Sequence, residues 1–306
     1  MDHHCIKLEQ NLSTYFRLVK KLGEGSFGKV YTAAVEDQGY ALLPYGAPPL
    51  VAIKHLHNID SIEKDVIINE IINLKTFILR RSVKYYGCFT NKDGLYIVME
   101  LIDGVDLFDL VDKNTLSTND KLFIARELAL AIAECHKVGL VHRDIKPENV
   151  MVQFQANNMV PIIKLIDYGL SCNTNANPLW EKCHARMGTR PYYDKKIVLG
   201  NIDSMKQGDW WAFGQIITLM FTYTLLYEQA KDKFDTLGPN EYIHIPKGLH
   251  RLLDGLTDPD ITQNERPTES DILRILNKNM KKTSPPPPPP QQAPAPSMKR
   301  KRAKSM

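Results

Sequence analysis

The residues His142-Arg143-Asp144-Ile145-Lys146-Pro147-Glu148-Asn149 bring together a carboxylate, a lysine two positions on and an amide five positions on. The proline after the lysine keeps this stretch from closing into a helix, so Asp144, Lys146 and Asn149 share a loop and can point at one small volume. Asp144 suits a base that orients a hydroxyl, Lys146 a cation that steadies a moving phosphate, and Asn149 an oxygen ligand for a divalent metal.

Three other stretches offer matching chemistry. Gly23-Glu24-Gly25-Ser26-Phe27-Gly28-Lys29-Val30 is a GxGxxGxV turn whose glycines let backbone N–H groups approach phosphate oxygens. Alone it is weak evidence, because a plain hairpin or another nucleotide fold also produces it. A dinucleotide site needs such glycines to lead into a helix, and here they lead into the strand Val30–Val35. Val51-Ala52-Ile53-Lys54 ends an apolar strand on a cation, and Glu70 follows sixteen residues later on the apolar face marked by Val66 and Leu74. An unpaired carboxylate on that face would be costly to bury, so Lys54 is its expected partner. Asp167-Tyr168-Gly169 directly follows the short strand Ile162–Ile166 and sets a carboxylate at a strand end. Asn149 and Asp167 are then the hard oxygen ligands that Mg²⁺ prefers.

The elements that must position these groups are legible in outline. Alternation from Tyr15 reads as a strand running to Gly23, with returning strands at Val30–Val35 and Leu50–Ile53 around a Gly- and Pro-rich loop. Apolar residues every three or four positions predict a helix over 61–79. Strands over Val83–Phe89 and Leu95–Leu101 flank the hairpin turn Asn91-Lys92-Asp93-Gly94. Beyond them, Ser117-Thr118-Asn119-Asp120 caps a helix that ends at Gly139, and helices are predicted over 209–227, 249–256 and 268–278. A strand-rich part followed by a helix-rich part predicts an α+β chain of two lobes with a cleft between them.

Composition narrows the function. The chain has 306 residues and a formal charge of +4, but residues 281–306 hold seven Lys or Arg and no Asp or Glu. Residues 1–280 therefore carry 32 basic and 35 acidic residues, a net of −3, so the body is not a basic nucleic-acid binder and only the tail is a candidate for polyanions. The five cysteines (Cys5, Cys88, Cys135, Cys172, Cys183) are odd in number and scattered, a pattern expected of a reducing compartment. No signal peptide opens the sequence, and the apolar window Trp210–Tyr227 is interrupted by Gln215 and several hydroxyls, so it reads as a buried helix rather than a membrane span. Cys172, Cys183 and His184 lack a fourth ligand at suitable spacing and read as loop residues rather than a zinc site; His3, His4 and Cys5 read the same way.

The four motifs, in this order and spacing, resemble those of a eukaryotic-type protein kinase, with Lys146-Pro147 similar to the serine/threonine branch. The resemblance covers residues 15–280. It implies a bilobal fold: a small β-rich N-lobe over about 15–101 with one main helix, and a larger helical C-lobe over about 102–280. Residues 1–14 are an extension and 281–306 a Pro-rich, basic tail. It further implies ATP as phosphate donor and Mg²⁺, or Mn²⁺ in its place, as metal. Gly23, Gly25 and Gly28 would cover the phosphates, Leu22 and Ser26 would join them in binding the nucleotide, and Val30, Ala52 and Met151 would sandwich the adenine. Lys54 held by Glu70 would bind phosphate. Met99 would be the gatekeeper, Glu100 to Ile102 the hinge, and Asp106 a ribose contact. Asp144 would be the base, Lys146 the cation at the transferred phosphoryl group, and Asn149 and Asp167 the metal ligands. Leu74, Tyr85, His142 and Tyr168 would stack as a spine joining the lobes.

Three departures carry expectations of their own. Tyr168 stands where phenylalanine is usual, and its hydroxyl needs a partner when buried. The expected Ala-Pro-Glu aligns with Asp194-Lys195-Lys196, which leaves Arg266 without its glutamate, so the anchor is either lost or replaced, with Asp194 as the candidate substitute. Arg143 has no phosphorylatable residue at Ala185, where a site is usual; Glu181 is an alternative partner, and activity without activation-loop phosphorylation is expected.

Glu148, Asp106 and Asp103 suit a basic substrate peptide or are simply a solvated acidic face. The run Lys299-Arg300-Lys301-Arg302-Ala303-Lys304 reads first as a nuclear import signal, placing the protein in nucleus or cytoplasm rather than outside the cell, and second as a tail that attracts polyanions. Six consecutive prolines, 285–290, offer a ligand for a proline-binding partner or a stiff spacer. The rivals to a kinase acting on serine and threonine hydroxyls of proteins are a pseudokinase scaffold, a nucleic-acid protein working through its tail, and a small-molecule kinase. The first requires loss of Lys54, Asp144 or Asp167, and all three are present.

Overall fold

The computed structural model describes residues 4–25, 28–57, 61–155, 158–175, 188–194, 196–197, 201–228, 233–234, 236–262 and 265–280. Ser26, Glu181, Cys183, His184, Ala185, His3 and the tail lie outside them.

The first part of the chain folds into a sheet with one long helix against it. In order come β1 (Ile6–Lys7), α1 (Leu12–Tyr15), β2 (Phe16–Gly25), β3 (Gly28–Val35), α2 (Asp37–Tyr40), β4 (Leu50–Leu56), α3 (Ser61–Thr76), β5 (Tyr85–Asn91) and β6 (Gly94–Glu100). The six strands lie in the order β1-β5-β6-β4-β3-β2. All pairs are antiparallel except β1 with β5, where Ile6 faces Phe89 and Lys7 faces Thr90. The strand β1 shows that the extension joins the sheet, although two residues are too few to leave an alternation in the sequence. The β5–β6 hairpin closes at Asn91 and Gly94 as its turn chemistry predicts, with the Asn91 side chain accepting from the Asp93 N–H at 2.8 Å.

The sheet has two apolar faces. Phe16, Ala33, Val51, Ile53, Phe89 and Tyr96 pack on one side with Leu8 and Leu43 from the neighbouring segments. On the other, Leu56, Cys88, Leu95 and Ile97 pack against Ile67, Ile71 and Leu74 of α3. This second layer runs on into the C-lobe core, so α3 is seated on both lobes.

The C-lobe contains β7 (Val105–Asp106), α4 (Leu107–Asp112), α5 (Thr118–Lys137), β8 (Leu140–Val141), β9 (Val150–Gln155), β10 (Asn158–Leu165) and β11 (Cys172–Asn173). It continues through α6 (Ile202–Thr222), β12 (Tyr227–Glu228), β13 (Lys233–Phe234), α7 (Pro239–Tyr242), α8 (His250–Thr257) and α9 (Glu269–Met280). A capping box starts α5: the Ser117 hydroxyl accepts from the Asp120 N–H, and Asp120 accepts from the Ser117 N–H. Gly139, at φ +79°, turns the chain out of that helix. The central helix α6 begins seven residues before the predicted start, because Asn201 caps it by accepting from the Ser204 N–H at 2.9 Å. It is buried along most of its length, and among the described residues no helix is long and apolar enough to cross a membrane.

The cysteines correct an expectation. Cys5 and Cys88 form a disulfide across 83 residues of sequence, with Cα atoms 4.5 Å apart, and Cys172 is also disulfide-bonded. Among the described residues Cys135 is the free cysteine. For Cys5 and Cys88 the pairing is made through the sheet, where β1 is laid beside β5, rather than through local spacing.

Candidate active site

The loop that carries Asp144 is held from beneath by one carboxylate. Asp209, on α6, accepts from the backbone N–H groups of His142 at 2.9 Å and Arg143 at 2.8 Å, and pairs with the His136 ring nitrogen at 2.8 Å. Burial alone would push the Asp209 carboxyl up, but His136 and His142 override it and hold it below its ordinary range. Arg143 adopts φ +65°, an uncommon conformation for a non-glycine residue that these bonds maintain. Its Nε donates to the Leu170 carbonyl at 2.6 Å.

Asp144 stands at the centre of a closed network. Its Oδ1 accepts from the Thr189 N–H at 3.0 Å and the Thr189 hydroxyl at 2.7 Å, and its Oδ2 lies 2.8 Å from Lys146 Nζ and 3.1 Å from Asn149 Nδ2. Lys146 also donates to the Thr189 hydroxyl at 2.8 Å. The Asn149 amide nitrogen donates again to the Asp144 carbonyl at 2.9 Å, which leaves the amide oxygen as the donor available to a cation. The three residues picked from sequence do converge, and Thr189 joins them. Its role was missed because a hydroxyl 45 residues beyond Asp144 carries no spacing signal.

Across the cleft, Lys54 donates to both Glu70 oxygens, at 2.8 and 2.6 Å, and Glu70 is only 3% exposed. Burial draws the Lys54 ammonium down, yet Glu70 and Asp167 override it and hold its pKa above the ordinary value, so it stays a cation. The same burial, reinforced by Asp167, pushes Glu70 up against the pull of Lys54. Charge-assisted bonds to both carboxylate oxygens keep the pair ionised. Asp167 thus reaches the Lys54–Glu70 pair electrostatically from the end of β10 while sitting at φ +63°.

The roof and floor of the cleft also match. Gly23 pairs with Val30 and Gly25 with Gly28, so β2 and β3 narrow into the glycine turn. At Gly28, φ is +152° and a Cβ would meet the His55 carbonyl oxygen at 2.2 Å, so only glycine fits. Leu22 is 50% exposed at the strand's end. Ala52 lies opposite Met99 in the β4–β6 ladder, and Glu100 opposite Val51, which brings roof and hinge together. Met151 pairs with Asp106 in the β7–β9 ladder below, and Ile102 packs on the core beside the hinge. Asp106 also caps α4, accepting from the Asp109 N–H at 2.8 Å.

The spine and the anchor are both present. The His142 and Tyr168 rings lie 4.9 Å apart, and Leu74 and Tyr85 share their core cluster. Tyr168 is 2% exposed; its hydroxyl lies beside Ser82 and Cys135 but makes a hydrogen bond of proper geometry with neither. The Ser82 hydroxyl is directed instead to the Val83 carbonyl. Asp194 replaces the absent glutamate as anticipated: its Oδ2 accepts from Arg266 Nη1 at 2.6 Å, and both side chains are buried. The Arg266 guanidinium also lies 4.9 Å over the Trp211 ring. Asp194 lines a cavity shared with Arg143, Tyr192, Tyr193, Met205 and Asp209, which Asp144, Lys146, Asn149 and Thr189 do not line.

Two lobes, a glycine turn, a buried lysine–glutamate pair and a loop that focuses Asp144, Lys146 and Asn149 define the protein kinase class. A family model described as the protein kinase domain matches residues 16–283, and the chain belongs to that family. It is similar to mouse (Mus musculus) ribosomal protein S6 kinase alpha-3, 31% identical over 228 residues, which cover 72% of this chain and 28% of the relative. The zebrafish (Danio rerio) ribosomal protein S6 kinase alpha-6 is 31% identical over 273 residues, 83% of this chain and 34% of the relative. The chain therefore spans about a third of the length of these curated relatives.

Proposed function

We propose that this chain is an active serine/threonine protein kinase that transfers the γ-phosphate of ATP in line to protein hydroxyls. The network joining Asp144, Lys146, Thr189 and Asn149 carries the reading. Asp144 would take the proton of an incoming hydroxyl, and Lys146 would balance charge on the transferring group. Lys54, fixed by Glu70, would grip the donor's phosphates. The adenine would lie between Val30 and Ala52 above and Met151 below, against Met99 and the hinge.

Asn149 and Asp167 fit Mg²⁺, or Mn²⁺, as two oxygen donors on adjoining segments. No cluster of three or more His, Cys, Asp or Glu exists among the described residues, so phosphates and water would complete the shell. When bound, the metal neutralises phosphate charge. Choice of serine and threonine over tyrosine is supported by Lys146-Pro147 and by the Lys146–Thr189 bond at 2.8 Å.

Activity without activation-loop phosphorylation is part of the proposal. Ser171 is buried and donates to the His142 carbonyl at 3.2 Å, while the Thr174 hydroxyl donates to the Gly139 carbonyl at 2.8 Å. Neither hydroxyl is needed to complete the Asp144 network. The basic run Lys299–Lys304 supports a nuclear or mixed nuclear and cytoplasmic setting through an import receptor, the proline run a proline-binding partner, and nucleic acid only the tail.

Radiolabelled ATP with a generic basic protein substrate tests the reading. The wild type should incorporate label on serine or threonine, and Asp144→Asn and Lys54→Met should each lose about 10²–10⁴-fold. Equal incorporation in all three would end it. Phosphatase treatment should leave activity within about twofold; a large loss restored by phosphorylating Thr174 would remove the phosphorylation-independent part.

A further inference from the structure

Lys164 is 7% exposed and lies on β10 three residues before Asp167. Its ammonium donates to Glu100 Oε2 at 2.9 Å and to the Ser82 carbonyl at 3.2 Å. Glu100 ends β6 at the hinge, and the same Oε2 accepts from the Lys84 N–H at 3.1 Å. A buried ammonium is stable only with such partners, so this arrangement is an anchored point rather than a passing contact.

Three segments meet there: the hinge, the linker from α3 to β5, and the strand that delivers Asp167. The linker is fixed from both sides. Leu165 donates its N–H to the Arg81 carbonyl at 2.8 Å and accepts from the Val83 N–H at 3.0 Å. The Arg81 side chain reaches α5, with Nε 2.8 Å from Glu127 and Nη1 bonded to Glu134. With the linker held to the C-lobe in this way, the Lys164–Glu100 bond is the side-chain tie between the hinge and the strand of Asp167.

We propose that Lys164 is a positioning residue that fixes the hinge relative to Asp167, and so sets the spacing between the adenine end and the phosphate end of the ATP site. This rests on the kinase reading above. Lys164 touches neither substrate nor metal; it acts through Glu100 on one side and through the backbone of 165–167 on the other. The consequence is selective. Loss of the tie should weaken nucleotide binding, which needs both ends at once, and leave the affinity for the protein acceptor unchanged, because the Asp144–Lys146–Thr189 network does not pass through Lys164.

Calorimetric titration with MgATP provides a readout independent of turnover, alongside KM for ATP, KM for a peptide acceptor and Tm. Lys164→Met should raise the MgATP Kd and the ATP KM five- to tenfold with the peptide KM within twofold, and Lys164→Arg should restore most of the affinity. Lys164→Met also leaves Glu100 partly buried without its cation, so it will lower Tm. The double variant Lys164→Met/Glu100→Gln removes that charge and should regain Tm while keeping the weak MgATP binding. Wild-type affinity in Lys164→Met, or full recovery of MgATP affinity together with Tm in the double variant, would show a purely structural role and overturn the proposal. A wild-type chain that binds MgATP but transfers no phosphate would instead count against the proposed activity alone.

Discussion

At position 168 a tyrosine stands in the packed column of Leu74, Tyr85 and His142, and its hydroxyl finds no hydrogen-bond partner of proper geometry. Burial pushes its pKa well up, so it stays neutral. A buried unsatisfied polar group costs about 1–3 kcal/mol, and the ring itself supplies the packing. Tyr168→Phe should therefore raise stability by about 1 kcal/mol, seen as a Tm increase of about 2–4 °C, with kcat within about twofold. A Tm decrease of that size would mean that the hydroxyl is bonded to Ser82 or Cys135. The need for a partner was legible in the sequence; its absence was not, because it depends on where the Ser82 hydroxyl turns. Lys54 with Glu70 was legible for the opposite reason: a carboxylate on an apolar helix face calls for one cation, and Val51-Ala52-Ile53-Lys54 presents one. Thr189 and Lys164 carried no such demand, since a hydroxyl in a loop and a lysine in a strand are both ordinary until the fold surrounds them.

Among the elements, the segment from Gly188 to Ile197 depends on a short substitute. Aspartate is one methylene shorter than glutamate, yet Asp194 reaches Arg266 at 2.6 Å, and Lys196 donates its N–H to Asp194 Oδ1 at 2.9 Å to fix the carboxylate. Removing one partner of a buried pair costs about 3–5 kcal/mol because the other charge is stranded. Asp194→Ala should lose about that much stability, and kcat should fall with it, since Thr189 is placed by the same segment. Asp194→Ala/Arg266→Met, measured by denaturant unfolding, should recover most of the stability but not the rate. A loss under 1 kcal/mol in the single variant would mean that the segment is held elsewhere. This anchor was readable as a substitution within a known pattern. The true start of α6 was not: Ile202–Gly208 contains Asp203, Lys206, Gln207 and Gly208 and lacks the apolar period that identifies a helix, and only the Asn201 cap signals it.

At the scale of the whole molecule, the order of strands and helices and the split into two lobes followed from periodicity and turn chemistry, because each signal lies within about twenty residues. Contacts that span the chain left no such signal. Cys5 and Cys88 are separated by 83 residues, and neither their number nor their spacing distinguished a cross-link from two unrelated thiols. The bridge fastens the N-terminal strand to β5, and Cys88 lies in the layer beneath α3. Its effect falls mainly on the unfolded chain, where closing a loop of that length removes about 4.5 kcal/mol of entropic freedom, of which about 2–4 kcal/mol is the usual net gain. Cys5→Ser should therefore lower the unfolding free energy by about 2–4 kcal/mol and Tm by about 5–10 °C. The substitution spares the Cys172 bridge, which a reducing agent would also break. Since the hydrogen bonds and ion pairs of Lys54 and Asp144 run to Glu70, Lys146, Asn149 and Thr189 and not to β1, MgATP affinity measured well below the new Tm should be unchanged. A fall in affinity there would mean that the bridge also holds α3, and with it Glu70, in its paired position.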